Sequence, residues 1–148
     1  MKTTKFIFLS FLLASIVQWA HAQKEIGLCF ENKGYIEKKS LIHVIDVDCT
    51  EVDGPGLCSV LLGTPAKVDG RSFSVFTFKH SKSNRIDIYL NLQAEKYHDE
   101  YQASFEVAKD TLRFVEVEAV YENIDGCTLR SVLNLGDAGI FPVGLPAD

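Results

Sequence analysis

Residues 85–93, RIDIYLNLQ, alternate between apolar and polar side chains. On an extended chain the apolar members share one side, because successive side chains of a strand point to opposite faces. Such alternation predicts a β-strand in a sheet with one buried face. The apolar members are Ile86, Ile88, Leu90 and Leu92.

The same period-two pattern recurs along most of the chain. Seven segments have strand-like composition and are separated by turn residues, among them the strong hairpin signal Asp125-Gly126. Residues 95–100 are predicted to be a polar link. We expect one all-β domain, an immunoglobulin-like antiparallel β-sandwich of about seven strands. The predicted strands are 41–48, 57–62, 72–79, 85–93, 101–107, 111–122 and 127–135.

The first 22 residues have the features of a secretory signal peptide. Two lysines precede an apolar run over residues 6–17, and a small-x-small cleavage site ends at Ala22. The run is shorter than the roughly 20 residues that a spanning helix needs. We therefore expect a signal peptide over residues 1–22 and a single domain over residues 23–148. The protein would be extracellular, or lysosomal by the secretory route, with no stable membrane anchor.

The charge and the motifs disfavour several function classes. The 148 residues carry a net charge of −5 without a basic run, which argues against nucleic acid as a partner. There is no G-x-S-x-G or H-E-x-x-H motif, and the histidines are scattered, so we predict that the protein is not an enzyme. No C-x-x-C or EF-hand register is present, so neither a metal nor a cofactor is expected.

The four cysteines all lie after the predicted cleavage site. An even number in an exported chain predicts two disulfides, for which three pairings exist. A bond between Cys29 and Cys127 would tie the first segment to the last strand. Cys49 and Cys58 would then close the short acidic turn between two strands.

The order of these features resembles the MD-2-related lipid-recognition (ML) family, which includes group 2 mite allergens and the secreted Niemann–Pick cholesterol carrier. Family members often show an early Cys, a β run, a Cys-loop-Cys and a Phe/Val strand, here Cys29, residues 41–47, the Cys49 to Cys58 loop and residues 72–78. An acidic-Gly turn and a Cys then lead into the last strand, as at residues 125–127. The similarity covers most of residues 29–135. Many members carry a third disulfide in a middle hairpin, and this chain has no cysteine there.

The resemblance implies two sheets that separate around an apolar cavity for a sterol, fatty acid or related lipid. Each predicted lining residue is equally well explained as packed core, because alternation shows which side chains face inward and not whether the interior is hollow. The predicted lining residues are Phe73, Val75, Ile86, Ile88, Leu90, Phe105, Val117, Ala119 and Tyr121.

Two other functions are open at the level of sequence. Within the same fold, the protein could present a lipid to a protein receptor in innate immunity. Alternatively, it is an immunoglobulin-like interaction module with a solid core, in which exposed residues such as Tyr89, Tyr97 and Tyr101 matter more than the interior. A true immunoglobulin domain places a Trp beside its disulfide, and the only Trp precedes the predicted cleavage site.

Overall fold

The structure is a computed structural model that describes Cys29 and residues 34–50, 56–82 and 85–139. Side chains are described for these residues except 81, 82 and 85–87. The predicted signal peptide and the tail after residue 139 lie outside the described residues.

Ten strands and one 3-10 helix make up the described chain, and they confirm the predicted all-β sandwich. The strands form two packed sheets that are joined by short turns. The 3-10 helix is Lys109–Phe114. The strands are β1 (Tyr35–Glu37), β2 (His43–Thr50), β3 (Leu57–Pro65), β4 (Lys67–Val68), β5 (Arg71–Lys82), β6 (Arg85–Leu92), β7 (Ala94–Tyr97), β8 (Glu100–Ala108), β9 (Val115–Ile124) and β10 (Cys127–Asn134).

One sheet has six strands and the other has four. The six-stranded sheet runs in the order β1-β10-β9-β5-β4, and β6 also pairs with β5. The four-stranded sheet runs in the order β2-β3-β8-β7. The strand pairs are antiparallel except that of β1 with β10, which is parallel. The chain passes directly from one sheet to the other at Gln93, between β6 and β7.

All seven predicted strands are present, and three short strands were not predicted. β1, β4 and β7 are two to four residues long, which is too short to show a period in the sequence. β7 lies partly inside the predicted polar link. The predicted strand 111–122 begins instead at Val115, because Thr111 turns back and donates a hydrogen bond from its hydroxyl to the carbonyl oxygen of Ala108, 2.9 Å away.

The centre of the sandwich is a closely packed apolar core. Val60 and Leu62 of β3 face Phe76 of β5 and Ala119 of β9, and all four side chains are fully buried. Burying apolar area stabilises a fold by roughly 25 cal/mol per Å², so these positions contribute strongly to holding the two sheets together.

Two disulfides join Cys29 to Cys127 and Cys49 to Cys58. Cys49 and Cys58 lie directly opposite each other on β2 and β3, so the second bond closes that hairpin. The described part of the chain has no free cysteine.

A polar ladder crosses the outer face of the six-stranded sheet. Glu118 of β9 is at its centre and is only 8 % exposed. Its carboxylate lies 3.0 Å from the ammonium nitrogen of Lys79 on β5 and 3.4 Å from the guanidinium of Arg130 on β10. Lys79 also pairs with Glu116, and Arg130 with Glu37. The ladder thus links four neighbouring strands by alternating charges.

Candidate functional site

Five of the predicted cavity residues lie in or against the core. Val117, Ala119 and Tyr121 of β9 are fully buried, and Phe73 and Phe105 are half-buried and pack against the core. These positions face the space between the sheets. Contact with a ligand stays a prediction for them, because burial of this kind also fits a solid core.

Val75 does not face the space between the sheets, and this part of the prediction is wrong. A β-bulge at Ser74 lets Phe73 pair with Tyr121 and Val75 pair with Val120. Since neighbouring residues of β9 point to opposite faces, Phe73 lies on the inner face and Val75 on the outer one. The sequence alternation assumed a regular strand, and the extra residue reverses it.

β6 presents its apolar side chains inward, yet they are not covered. Leu90 pairs with Phe78 and Ile88 pairs with His80, and paired residues share one face of a sheet. Phe78 is buried, whereas Leu90 is 42 % and Ile88 is 49 % exposed. The predicted burial of Ile88 and Leu90 is therefore wrong, although the predicted face is right. The side chain of Ile86 lies outside the described ones.

Exposure along β6 increases with distance from the crossing at Gln93. Leu92, next to the crossing, is half-buried and packs against the core, whereas Leu90 and Ile88 are progressively more exposed. The two sheets are held together at Gln93 because the chain itself joins their edges there. Away from that point, the described part of the chain covers the inner-face side chains of β6 only in part.

β8 lies across from β6 and shows the same trend. Ala103 is buried, while Phe105 and Val107, farther along the same face, are half-buried. The Phe105 ring meets the Phe78 ring edge-on, with 5.0 Å between centroids, so the sheets touch at this level. We call the apolar surface formed by Ile88, Leu90, Phe105 and Val107 the open edge.

The opposite end of the sandwich is closed by polar and aromatic contacts between the sheets. The hydroxyl of Tyr121 lies 2.7 Å from that of Thr64 and donates to the carbonyl oxygen of Pro65 at 3.1 Å. Phe73 stacks on Tyr101 of the facing sheet, with ring centroids 4.7 Å apart. Burial raises the pKa of the Tyr121 phenol, although the hydrogen bond with Thr64 opposes the shift. Contacts between the two sheets therefore close this end of the sandwich, and the open edge lies away from it.

His80 and Phe114 border the open edge on the side of the 3-10 helix. His80 pairs with Ile88, and its ring meets that of Phe114 at 6.4 Å. The guanidinium of Arg113 lies 4.9 Å from the Phe114 ring centroid. The sequence did not single out these residues or Val107 for the site. Val107 could have been predicted, because it lies two residues after Phe105 and therefore on the same face of the strand. The positions of His80 and Phe114 beside the open edge could not, because they depend on how the strands pack in three dimensions.

The open edge offers apolar contact area rather than a cluster of reactive groups. Within the described ranges, no group of three or more His, Cys, Asp or Glu residues is arranged to hold a metal ion. None of the described helices is long and apolar enough to cross a membrane. The two disulfides indicate an oxidising, extracellular environment.

The chain was compared with known proteins at the level of families, individual curated proteins and solved structures. No family model, curated protein or solved structure matches it.

Proposed function

We propose that this protein is a secreted lipid-binding protein that takes up a sterol, fatty acid or related lipid between its two β-sheets. The observation that supports the proposal is the exposure of Leu90 and Ile88 on the inner face of β6. Inward-facing apolar side chains of a sandwich are normally covered by the other sheet. Here they are open to solvent at one edge, opposite two half-buried apolar side chains of β8.

The energetics of the open edge suit an apolar ligand. Transfer of apolar surface out of water is favourable by roughly 25 cal/mol per Å², so covering about 200 Å² contributes on the order of 5 kcal/mol. An acyl chain or a sterol ring system is long and narrow enough to lie along a strand. The ligand would enter beside β6, since the end at Tyr121 is tied shut.

The ordered cysteines and strands that resemble the ML family also support this function. Residues 1–22, which have the features of a signal peptide, support secretion or delivery to the lysosome by the secretory route. Presentation of the bound lipid to a receptor in innate immunity is a further role within the same proposal, and it requires a protein partner.

One observation favours a second candidate, an extracellular interaction module with a solid core. The centre of the sandwich at Val60, Leu62, Phe76 and Ala119 is fully buried, as expected where two sheets pack directly against each other. A lipid held between the sheets would therefore lie at the open edge. If that edge is covered by a protein partner instead of a lipid, the module hypothesis applies.

Lipid binding is tested first by mass spectrometry. The protein is expressed in a eukaryotic host, and its native and denatured spectra are compared. We expect a lipid-sized adduct in the native spectrum and its loss on denaturation.

Fluorescence titration with cis-parinaric acid, a fatty acid, and dehydroergosterol, a sterol, then separates the two ligand classes. We expect Leu90→Asp to weaken binding of the preferred probe at least tenfold, because a charge in the open edge must lose water when the ligand covers it. Tyr89→Asp is the matched control, since Tyr89 is exposed on the outer face of the same strand. Absence of binding by both probes, or equal affinity of the two variants, would overturn the proposal.

A further inference from the structure

A groove of about 500 Å³ lies on the outer face of the four-stranded sheet, away from the open edge. A groove of this size is within the range of small-molecule sites, roughly 300–1,000 Å³. Most of its lining side chains are polar. They include Gln93, Glu95, Tyr97, Gln102 and Ser104, and Leu61 also lines the groove.

The strand pairing separates the groove from the interior. Ser104 pairs with Leu61, and Gln102 pairs with Glu95, so these side chains share one face. Their chain neighbour Ala103 also lines the groove, but it is buried and belongs to the core. A ligand in the groove and a lipid at the open edge would therefore occupy opposite faces of the four-stranded sheet.

Tyr97 supplies an aromatic surface beside the groove. It is 60 % exposed, and its ring meets the His98 ring edge-on at 4.5 Å. His98 is in the left-handed region, with φ of 54°, within the two-residue turn between β7 and β8. The turn thus places the His98 ring beside the Tyr97 ring. A supported aromatic ring can bind a ligand at a smaller cost in side-chain entropy than a mobile one.

The polar side chains of the groove are accessible to a ligand. Gln93 and Ser104 are exposed, and Gln102 is half-buried. Each amide and the hydroxyl can both donate and accept. A complementary ligand therefore carries several neighbouring groups that can both donate and accept hydrogen bonds.

We propose that this groove binds a neutral saccharide. A pyranose ring has an apolar C–H face that can stack on Tyr97, and hydroxyls at its rim that can pair with Gln93, Gln102 and Ser104. One Glu and one Lys are among the lining residues, so no charge preference is built in. The groove contains too little apolar surface for a lipid chain, which distinguishes it from the open edge.

The proposal is tested by titrating the whole protein with four neutral oligosaccharides, observed through its ¹H–¹⁵N amide spectrum. The probes are cellohexaose, mannohexaose, galactohexaose and chitohexaose. We expect at least one of them to shift the amides of β7 and β8 around Tyr97 and Gln102. If no probe shifts these amides, the proposal is wrong.

Variants then identify the side chains involved. Tyr97→Ala and Gln102→Ala are each expected to raise Kd at least tenfold. Tyr89→Ala is the control, since Tyr89 is almost equally exposed, at 58 %, but lies on the other sheet. An equal effect of Tyr89→Ala and Tyr97→Ala would overturn the proposal. The lipid probes bind on the opposite face, so we expect Tyr97→Ala to leave their affinity unchanged. Lipid binding and saccharide binding are therefore tested independently of each other.

Discussion

At the scale of single residues, Tyr121 shows how one polar group can hold two sheets together. Its ring is buried in the core, while its hydroxyl reaches Thr64 and Pro65 at the end of β3. A buried hydroxyl costs free energy unless it is hydrogen-bonded, so this position needs a tyrosine together with its partners.

We predict that Tyr121→Phe lowers the free energy of unfolding by about 1–2 kcal/mol, because the ring still fits while the hydrogen bonds between the sheets are lost. Urea unfolding measures this. Tyr89→Phe, at an exposed position, serves as the control and is expected to change stability by less than about 0.5 kcal/mol. Equal stabilities of the two variants would contradict the role assigned to the hydroxyl.

The pH dependence gives a second readout of the same residue. Burial raises the pKa of Tyr121 in the folded protein above the value of about 10 for an unfolded tyrosine. Above pH 10 the unfolded chain loses this proton first, so the contribution of Tyr121 to stability is complete below pH 10 and is lost as the pH rises through the folded pKa. The stability difference between the wild type and Tyr121→Phe should therefore shrink above pH 10.

At the scale of strands, the sequence predicted the longer elements and their inward faces well. Strands such as β6 and β9 are long enough for a period of two to be visible, and their apolar side chains do face inward. Two features could not be predicted. A bulge such as the one at Ser74 adds a residue without a distinctive sequence, so Val75 was assigned to the wrong face.

The second feature that could not be predicted is whether an inward-facing side chain is covered by the other sheet. Alternation shows that Leu90 faces inward, but whether another strand covers Leu90 depends on where β8 packs. That is a tertiary property, which also explains why Val107 and the surroundings of His80 were missed. The sequence thus predicted which face of the strands several residues of the candidate site occupy. That this face is exposed at the open edge could be seen only in the structure.

The polar ladder on the outer face of the six-stranded sheet also acts at the scale of strands. Burial lowers the pKa of the Lys79 ammonium, but hydrogen bonds and charge attraction from Glu118 and Glu116 outweigh it and leave the pKa raised. Thr77 donates a further hydrogen bond to Glu118. Glu118 is therefore the anion on which the neighbouring cations of β5 and β10 converge.

We predict that Glu118→Gln lowers the free energy of unfolding by about 1–3 kcal/mol, because two cations lose a largely buried partner while the volume is unchanged. Thermal and urea unfolding measure the effect. The control is Glu106→Gln on the exposed face of β8, where the expected change is below about 0.5 kcal/mol. If both variants behave alike, the ladder contributes no more than ordinary surface pairs.

At the scale of the whole molecule, the two disulfides constrain the chain very differently. Cys29 and Cys127 are 98 residues apart, whereas Cys49 and Cys58 are 9 residues apart. A longer loop loses more conformational entropy in the unfolded state when it is closed. The long bridge therefore constrains most of the domain, and the short one constrains a single hairpin.

We predict that replacing Cys29 and Cys127 by Ala costs about 5 kcal/mol, and that replacing Cys49 and Cys58 costs about 3 kcal/mol. Denaturant unfolding of the two double variants at equal concentration measures the difference. A larger loss for the Cys49 and Cys58 variant would show that hairpin geometry, rather than loop length, decides how much each bond contributes.

The parallel pairing of β1 with β10 has a consequence for the order in which the chain can fold during synthesis. β1 is the first described strand to be made, and its pairing partner β10 is the last. The four-stranded sheet and the β5–β6 hairpin can form while the ribosome is still producing the remainder. β1 cannot pair with β10 before β10 has been made. Likewise, Cys29 cannot form its native disulfide until Cys127 has emerged from the ribosome. Closure of the long bridge is thus a late event in maturation, and it marks the molecules whose final strand has docked.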